Sequence, residues 1–245
     1  MTDQLQGISR ERLARLDAVL HRYVDAGKLP GVQTAVSRRG EVVHRDCYGF
    51  TDVEAGRKVE PDTLYRIYSM TKPITGMAAM ILMDEGKLSL DQPLHTILPK
   101  FKQMLVQKTY DGGIGPADLE PAVRPITIRH LLTHTAGLGY SIVQQGPISQ
   151  LMVDREVVPG QVTKLDLPQF LRGKSADSLE IFADRAAEIP LVHQPGTRWS
   201  YSIGLDLMGR VIEVVSGQKF DEFLQERIFD PLGMTQSTYE QPLPA

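Results

Sequence analysis

The sequence predicts an α+β protein in which one β-hairpin precedes a large helical body. Two short runs rich in β-branched residues, 32–37 and 42–49, are joined by Arg38-Arg39-Gly40-Glu41, a pattern typical of a hairpin. After residue 68 the apolar residues recur mostly at helical spacing. At 245 residues the chain is long enough for one large domain or two interlocked ones.

The helices are predicted from apolar periodicity and from capping residues. Ser9 can cap a first helix that ends near Gly27, with an apolar stripe on one face formed by Leu13, Leu16, Val19, Leu20, Tyr23 and Val24. A second helix follows Ser69 and ends near Gly86, and Thr127 can cap a third over residues 128–134. Further helices are expected over residues 167–171, 175–187, 203–216 and 220–229, before a turn at 231–234.

Composition excludes several classes of function. The net charge of −3, without a basic stripe, argues against a nucleic-acid partner. No stretch reaches the roughly 18 apolar residues of a membrane span, and the polar N-terminus carries no secretion signal, so we expect a cytoplasmic protein. Cys47 is the only cysteine, so an intrachain disulfide is excluded.

The most informative stretch is Tyr68-Ser69-Met70-Thr71-Lys72-Pro73, at the start of the second predicted helix. Residues at i and i+3 share a helix face, so the Ser69 hydroxyl and the Lys72 amine can approach each other. A serine hydroxyl becomes a strong nucleophile when a neighbouring base takes its proton. Lysine can be that base when its ammonium form is destabilised, as near a helix N-terminus. The alternative is that Ser69 only caps the helix.

Other candidate motifs are weaker. Ser216 and Lys219 repeat the spacing of Ser69 and Lys72, but Gly217 indicates the end of a helix, so a C-terminal cap is expected there. His130 and His134 have the i, i+4 spacing of a metal site, yet the glutamate of H-E-x-x-H is missing, and a packed or capping pair is the preferred interpretation.

Two further motifs receive a structural interpretation. The glycine-rich stretch 111–116 has no following lysine and is expected to be a mobile surface loop rather than a phosphate site. Cys47 is expected to be a small buried residue, because His44 falls on the other side of the strand alternation. We therefore expect no metal and no cofactor.

Four ordered blocks carry a resemblance to a known family: YSMTKP, PITIRHLLTHTAGL, HQPGTRWSYS and ERIFDPLGM. Together they resemble the serine β-lactamase and penicillin-binding-protein superfamily. Within it they are most similar to the class C β-lactamase-like branch that includes family VIII carboxylesterases. The resemblance implies a β-lactamase/transpeptidase-like fold, with a helical domain packed on an antiparallel sheet with flanking helices. Residues 1–67 would supply the first helix and two strands, and residues 68–245 the helical domain.

The resemblance also assigns roles to residues. Ser69 matches the acylated nucleophile, Lys72 its companion base, and Tyr201 the tyrosine of the second motif, which shares in proton transfer. The backbone N–H of Ser69 would be one donor of the oxyanion hole. A small-molecule ester is the implied substrate.

The sequence departs from the family pattern at two points. Ile203 occupies the place of the asparagine in the Tyr-x-Asn motif, which in class C β-lactamases holds the substrate's side-chain amide. Ester hydrolysis is therefore favoured over β-lactam hydrolysis. The third motif (K-T-G, H-x-G or W-G-G) is not found after Tyr201, so we expect the C-terminal strands and helix of the sheet domain to be absent, and a C-terminal fragment of the same enzyme to complete the sheet.

These observations predict a serine esterase of the carboxylesterase type that acts on short-chain esters. A β-lactamase or DD-peptidase activity, acyl transfer to another alcohol, and a non-catalytic truncated relative acting as a binding module remain as alternatives.

Overall fold

The structure, a computed structural model, describes residues 4–158 and 175–239. The chain divides into two units, Met1–Arg66 and Ile67–Ala245. The assignment of residues 1–67 and 68–245 to the two domains of the family fold stays a prediction.

The first unit contains a small antiparallel sheet and one long helix. A short hairpin of β1 (Gln4–Leu5) and β2 (Ile8–Ser9) leads into α1 (Arg10–Asp25), followed by β3 (Gly31–Arg38), β4 (Glu41–Asp52) and β5 (Arg57–Lys58). The larger sheet has the order β3-β4-β5. The predicted hairpin is β3-β4, and its turn residues Arg39 and Gly40 both have positive φ, as the tightest hairpin turns require. The strand β5 was not predicted, because two residues are too few to show an alternation.

Helix α1 begins where the sequence predicts, and half of its predicted apolar stripe, Leu13, Leu20 and Val24, is half-buried. The Ser9 side chain caps it by accepting a hydrogen bond from the Arg12 amide at 3.4 Å. Two polar side chains of α1 bind β4: the Asp17 carboxylate lies 2.8 Å from His44 Nε2, and His21 Nε2 lies 2.8 Å from the Asp46 carboxylate. No residue of α1 is buried, and Leu16, Val19 and Tyr23 of the predicted apolar stripe are exposed.

The second unit is mainly helical. A 3₁₀ turn (Tyr68–Met70) leads into α2 (Thr71–Asp84), and the short strands β6 (Leu105–Gln107) and β7 (Leu119–Pro121) form a hairpin. Then follow α3 (Ile128–Leu132), α4 (Pro147–Asp154), α5 (Leu179–Ala186), α6 (Gly204–Ser216) and α7 (Phe220–Leu224), which continues as one π-helical turn (Gln225–Phe229).

The main hydrophobic core lies in this second unit. Helix α6 packs against α2, α3 and α5. The fully buried side chains at its centre are Leu82, Leu131, Leu207, Met208 and Ile212. Among the described residues of the first unit, by contrast, Val43 and Val59 are the only buried apolar side chains.

Helix ends agree with the capping residues in most places. Gly217 ends α6 with φ 75°, and the amide of Gln218 donates to the Ser216 hydroxyl at 3.2 Å, so the second S-x-x-K copy is a C-terminal cap as predicted. Thr127 caps α3, but that helix stops at Leu132, because His134 has the left-handed φ of 54°. The helix predicted over 167–171 lies outside the described residues.

Within the described ranges, no helix combines the length and the apolar character needed to cross a membrane.

Candidate active site

Ser69 lies on a turn that exposes it. It is the middle residue of the 3₁₀ turn that precedes α2, and its neighbour Tyr68 has a φ of 45°. A positive φ is uncommon for a tyrosine and marks a locally strained backbone, a feature that is frequent near functional sites. The serine side chain is exposed at the surface of the second unit.

Lys72 lies on the first turn of α2, three positions after Ser69. Its Nζ donates a hydrogen bond to Ser69 Oγ at 3.2 Å. The 3₁₀ geometry of the preceding turn favours this contact, because side chains at i and i+3 eclipse each other in that conformation. Lys72 is half-buried, whereas Ser69 is exposed.

Tyr201, from the segment before α6, also contacts Ser69. Its Oη lies 3.0 Å from Ser69 Oγ, although the two residues are 132 positions apart. Lys72 Nζ lies 4.9 Å from the centre of the tyrosine ring. The packing of α2 against α6 explains this contact, because Ser69 lies two residues before α2 and Tyr201 three residues before α6. The three groups thus form one cluster around Ser69 Oγ.

The surroundings favour the ionised form of the phenol. Burial raises the pKa of Tyr201, but hydrogen bonds with Lys72 and Ser69 and the positive charge of Lys72 outweigh this effect, so the pKa lies below its ordinary value. A phenol with a lowered pKa is a better proton acceptor at neutral pH than an ordinary tyrosine, because a larger fraction is ionised.

A carboxyl group adds to the electrostatics of this cluster. Burial raises the pKa of Asp206, on the first turn of α6, to about 6, although the charge of Lys72 partly opposes the shift. Burial together with the charges of Asp206 and Tyr201 raises the pKa of Tyr140 to about 12, so Tyr140 stays neutral at physiological pH. The ring of Tyr140 lies 5.5 Å from the ring of Tyr201.

A family model described as Beta-lactamase matches residues 16–245. The chain belongs to the beta-lactamase family. Esterase EstB of Burkholderia gladioli is 36% identical over 222 residues, which are 90% of this chain and 50% of EstB. Lovastatin esterase of Penicillium rubens is 33% identical over 228 residues, which are 91% of this chain and 52% of that protein.

A solved structure extends the comparison to the fold of the beta-lactamase family. The hydrolase EstCE1, described as having promiscuous acyltransferase activity, matches with a TM-score of 0.70 and 29% identity, over 90% of this chain and 51% of EstCE1. The expected β-lactamase/transpeptidase-like α+β fold and the expected esterase relatives are therefore confirmed. The chain spans about half the length of the curated relatives that it matches.

The two histidines at i, i+4 spacing make separate contacts. Thr127 N–H donates to His130 Nδ1 at 3.2 Å, so His130 belongs to the cap of α3. His134 instead contacts Ser202 and the ring of Tyr201. Among the described residues no group of three or more histidine, cysteine, aspartate or glutamate side chains could hold a metal ion.

The other motifs also lie outside the cluster. Gln107 Nε2 donates to the Gly112 carbonyl at 2.6 Å, so the glycine-rich stretch is anchored to its hairpin rather than a simple surface loop. Cys47 is half-buried rather than buried, and lines an open cavity of about 630 Å³ with Gln33, Thr34 and Arg45. Ile203 is buried, and its amide donates to the Gly139 carbonyl at 3.4 Å.

Sequence reasoning did not single out Asp206, Tyr140 or the contact of His134 with Tyr201. His134 lies within the block PITIRHLLTHTAGL that carries the family resemblance, and Asp206 follows the tyrosine block by a few residues. Neither position has a spacing to Ser69 that predicts contact. His134 was considered only through its i, i+4 spacing to His130, as one of a packed or capping pair.

Proposed function

We propose that this chain is the catalytic portion of a serine esterase that cleaves short-chain carboxylic esters through an acyl-enzyme on Ser69. The observation that carries the proposal is the cluster of three groups, with Ser69 Oγ 3.0 Å from Tyr201 Oη and 3.2 Å from Lys72 Nζ. A nucleophile with two potential proton acceptors at hydrogen-bonding distance is what acyl transfer requires. The esterase names of relatives above 30% identity support the same reaction class.

The proposed reaction has two steps. Ser69 Oγ attacks the ester carbonyl while its proton passes to Lys72 or Tyr201, and the same groups return a proton to the departing alkoxide, which leaves as an alcohol. Water then attacks the acyl-enzyme with its proton taken by Tyr201, and the carboxylic acid leaves as Ser69 regains its hydrogen. Lys72 can accept a proton only in its neutral form, whereas Tyr201, with its lowered pKa, can accept one as a phenolate.

The backbone N–H of Ser69 is the proposed first donor of an oxyanion hole. It would stabilise the negative charge that develops on the carbonyl oxygen during attack. Removing one oxyanion donor typically costs about a hundredfold or more in kcat, so the site needs a second donor.

The remainder of a longer enzyme is the proposed source of that second donor. The chain spans about half the length of its curated relatives, and its first unit buries few apolar side chains in the described part. We therefore propose that a C-terminal segment completes the sheet and carries the third motif. Here "complete enzyme" means this chain together with that segment. A cytoplasmic location stays a prediction of the sequence.

Esters are proposed as substrates in preference to β-lactams because of Ile203. A site that pairs a substrate amide with a buried asparagine favours amide substrates, and an isoleucine side chain can form no such hydrogen bond. Acyl transfer to an alcohol other than water is the second candidate activity. It is favoured by the description of EstCE1 as a hydrolase with promiscuous acyltransferase activity.

The test compares p-nitrophenyl butyrate with the cephalosporin nitrocefin as substrates of the complete enzyme. We expect kcat/KM for the ester to exceed that for nitrocefin by at least about a hundredfold, and Ser69→Ala to abolish ester cleavage. Comparable kcat/KM values would remove the argument from Ile203. Equal activity of wild type and Ser69→Ala would contradict the proposed nucleophile, and no activity in either would favour the binding-module alternative.

A further inference from the structure

Tyr201 is held in place by its two neighbours in the chain, and both are bound by one residue. The Ser200 amide donates to the His134 carbonyl at 2.9 Å. The Ser202 amide donates to His134 Nδ1 at 3.2 Å, and the Ser202 hydroxyl lies 3.1 Å from the same nitrogen. Residue 134 therefore contacts the backbone on both sides of Tyr201, once through its main chain and once through its side chain.

The imidazole also contacts the phenol ring directly. The two ring centres lie 4.9 Å apart with the planes inclined by 41°. Tyr140 lies against the same phenol at 5.5 Å, and Lys72 Nζ lies 4.9 Å from its centre. The phenol is thus bordered by two rings and an ammonium group, which restricts how far Tyr201 Oη can move from Ser69 Oγ.

His134 has a left-handed backbone conformation. Its φ of 54° is unusual for a residue with a side chain and costs about 1–2 kcal/mol in general. Glycine would remove this cost but would leave the Ser202 amide without the imidazole acceptor. The contact of His134 with the end of α3 uses only its amide, which donates to the Leu131 carbonyl at 3.4 Å, so the Nδ1 contact argues for a role beyond capping.

The contact also determines which ring nitrogen of His134 carries the proton. Because Nδ1 accepts from the Ser202 amide, the ring proton lies on Nε2 in the neutral form. Burial and the positive charge of Lys72 both lower the pKa of His134, which keeps the ring neutral at neutral pH.

We propose that His134 is a positioning residue, whose carbonyl and Nδ1 together hold the segment around Tyr201 so that the phenol oxygen stays within hydrogen-bonding distance of Ser69 Oγ. The expected effect of His134 on activity rests on the proposed function. The contacts of Ser200 and Ser202 with His134 do not depend on it.

Two substitutions separate the acceptor from the backbone conformation. His134→Asn keeps a side-chain acceptor close to the position of Nδ1 and tolerates a positive φ. His134→Gly tolerates the same φ but has no acceptor. In the complete enzyme we expect His134→Gly to lower kcat for p-nitrophenyl butyrate by about tenfold or more with KM little changed, since the loss falls on proton transfer. His134→Asn should keep most of the wild-type kcat.

A double-mutant cycle with Tyr201→Phe tests whether His134 acts through Tyr201. We expect His134→Gly to lower kcat less than about twofold further in the Tyr201→Phe background, because the group that it positions is already gone. Equal fold-losses in both backgrounds would overturn the proposal, as would an Asn variant as impaired as the Gly variant.

Hydrogen exchange of the backbone amides distinguishes failure of this proposal from failure of the proposed function. We expect faster exchange at residues 200–202 in His134→Gly than in wild type, and near wild-type exchange in His134→Asn. Unchanged exchange in the Gly variant would overturn the positioning role even in an active enzyme. Faster exchange combined with full activity of Tyr201→Phe would overturn the proposed role of the phenol and, with it, the catalytic part of this inference.

Discussion

Lys72 is the residue whose charge state decides whether it can accept a proton from Ser69. Its Nζ is 3.2 Å from Ser69 Oγ, close enough for direct transfer once the amine is neutral. An arginine at the same position would keep the positive charge and the possibility of a hydrogen bond but would not release its proton.

We therefore expect Lys72→Arg to lower the acylation rate by a hundredfold or more, the usual size of a general-base contribution. The measurement is single-turnover acylation by a p-nitrophenyl ester, with the thermal unfolding midpoint as the control for folding. A variant that keeps more than about a tenth of the wild-type rate would exclude Lys72 as an obligatory base.

Asp206 is expected to make stability depend on pH. Its pKa rises to about 6 on burial, so the native state binds a proton more tightly there than the unfolded chain does. The stabilisation that comes from this raised pKa is fully present below the unfolded pKa, near 4, and is lost as the pH rises through about 6.

Asp206→Asn stays neutral throughout this range. We expect its free energy of unfolding, relative to wild type, to increase between pH 4 and pH 7 by up to about 3 kcal/mol, the equivalent of the shift in the pKa of Asp206. Urea unfolding of both proteins at several pH values measures the difference. A difference that stays constant or declines over the same interval contradicts the burial of this carboxyl group.

For individual residues, the sequence predicted some contacts and missed others for a physical reason. The approach of Lys72 to Ser69 follows from a local helical spacing, which is visible in the chain. Tyr201 came from the family resemblance alone, because its meeting with Ser69 depends on how α2 packs against α6. The contact of His134 with Ser202 depends in addition on a left-handed φ, which no periodicity predicts.

The close contact of α6 with α3 depends on a glycine. A Cβ on Gly204, the first residue of α6, would lie 2.7 Å from the Leu131 carbonyl oxygen in α3. Because that oxygen belongs to the backbone, it cannot rotate away, and the start of α6 would have to move. Tyr201 lies just before this point, so its position would change as well.

We expect Gly204→Ala to destabilise the protein by about 1–3 kcal/mol, as overpacking usually does, and to lower kcat. Gly76→Ala in α2 is the matched control, because nothing lies within 4 Å of the Cβ that it would add. This control should stabilise the helix by about 0.5–1 kcal/mol. Equal effects of the two substitutions on the thermal midpoint would contradict the close contact.

Elements with strong local signals were predicted best. Capping residues located the starts of α1 and α3, and Gly217 located the end of α6. The strands β5, β6 and β7 have two or three residues each, too few for an alternating pattern. The apolar residues of α1 gave its helical period correctly: Leu13, Leu20 and Val24 are half-buried, and they share a face with Asp17 and His21, which contact β4.

The first unit exposes apolar side chains and a strand edge in its described part. No side chain of α1 is buried, and Leu16, Val19 and Tyr23 are exposed on it. Within the described residues β3 is an edge strand, since the sheet order is β3-β4-β5. Exposed apolar side chains and an open strand edge are liabilities that proteins usually cover.

We therefore expect residues 1–245, expressed alone, to be aggregated or molten and inactive. Size-exclusion chromatography with light scattering, combined with urea unfolding followed by near-UV circular dichroism, measures this. The complete enzyme is the control and should unfold cooperatively. A monomeric mass at micromolar concentration together with a cooperative transition of the isolated chain would contradict the proposed C-terminal partner.

The fold class of the whole molecule could be predicted because four blocks spread along the chain agree with one family, and the family model then matched residues 16–245. The composition served only to exclude classes of function. The pairing of strands in the sheet could not be derived from local patterns, because strand register depends on partner segments as well as on the strand itself.

The central claim is that Ser69 becomes acylated, and covalent labelling tests it most directly. The complete enzyme would be treated with a fluorophosphonate probe, digested, and mapped by mass spectrometry. We predict one modified residue, Ser69, with labelling lost in Ser69→Ala and strongly slowed in Lys72→Arg, because the probe requires an activated serine. Labelling at another residue, or undiminished labelling of Ser69→Ala, would contradict the account.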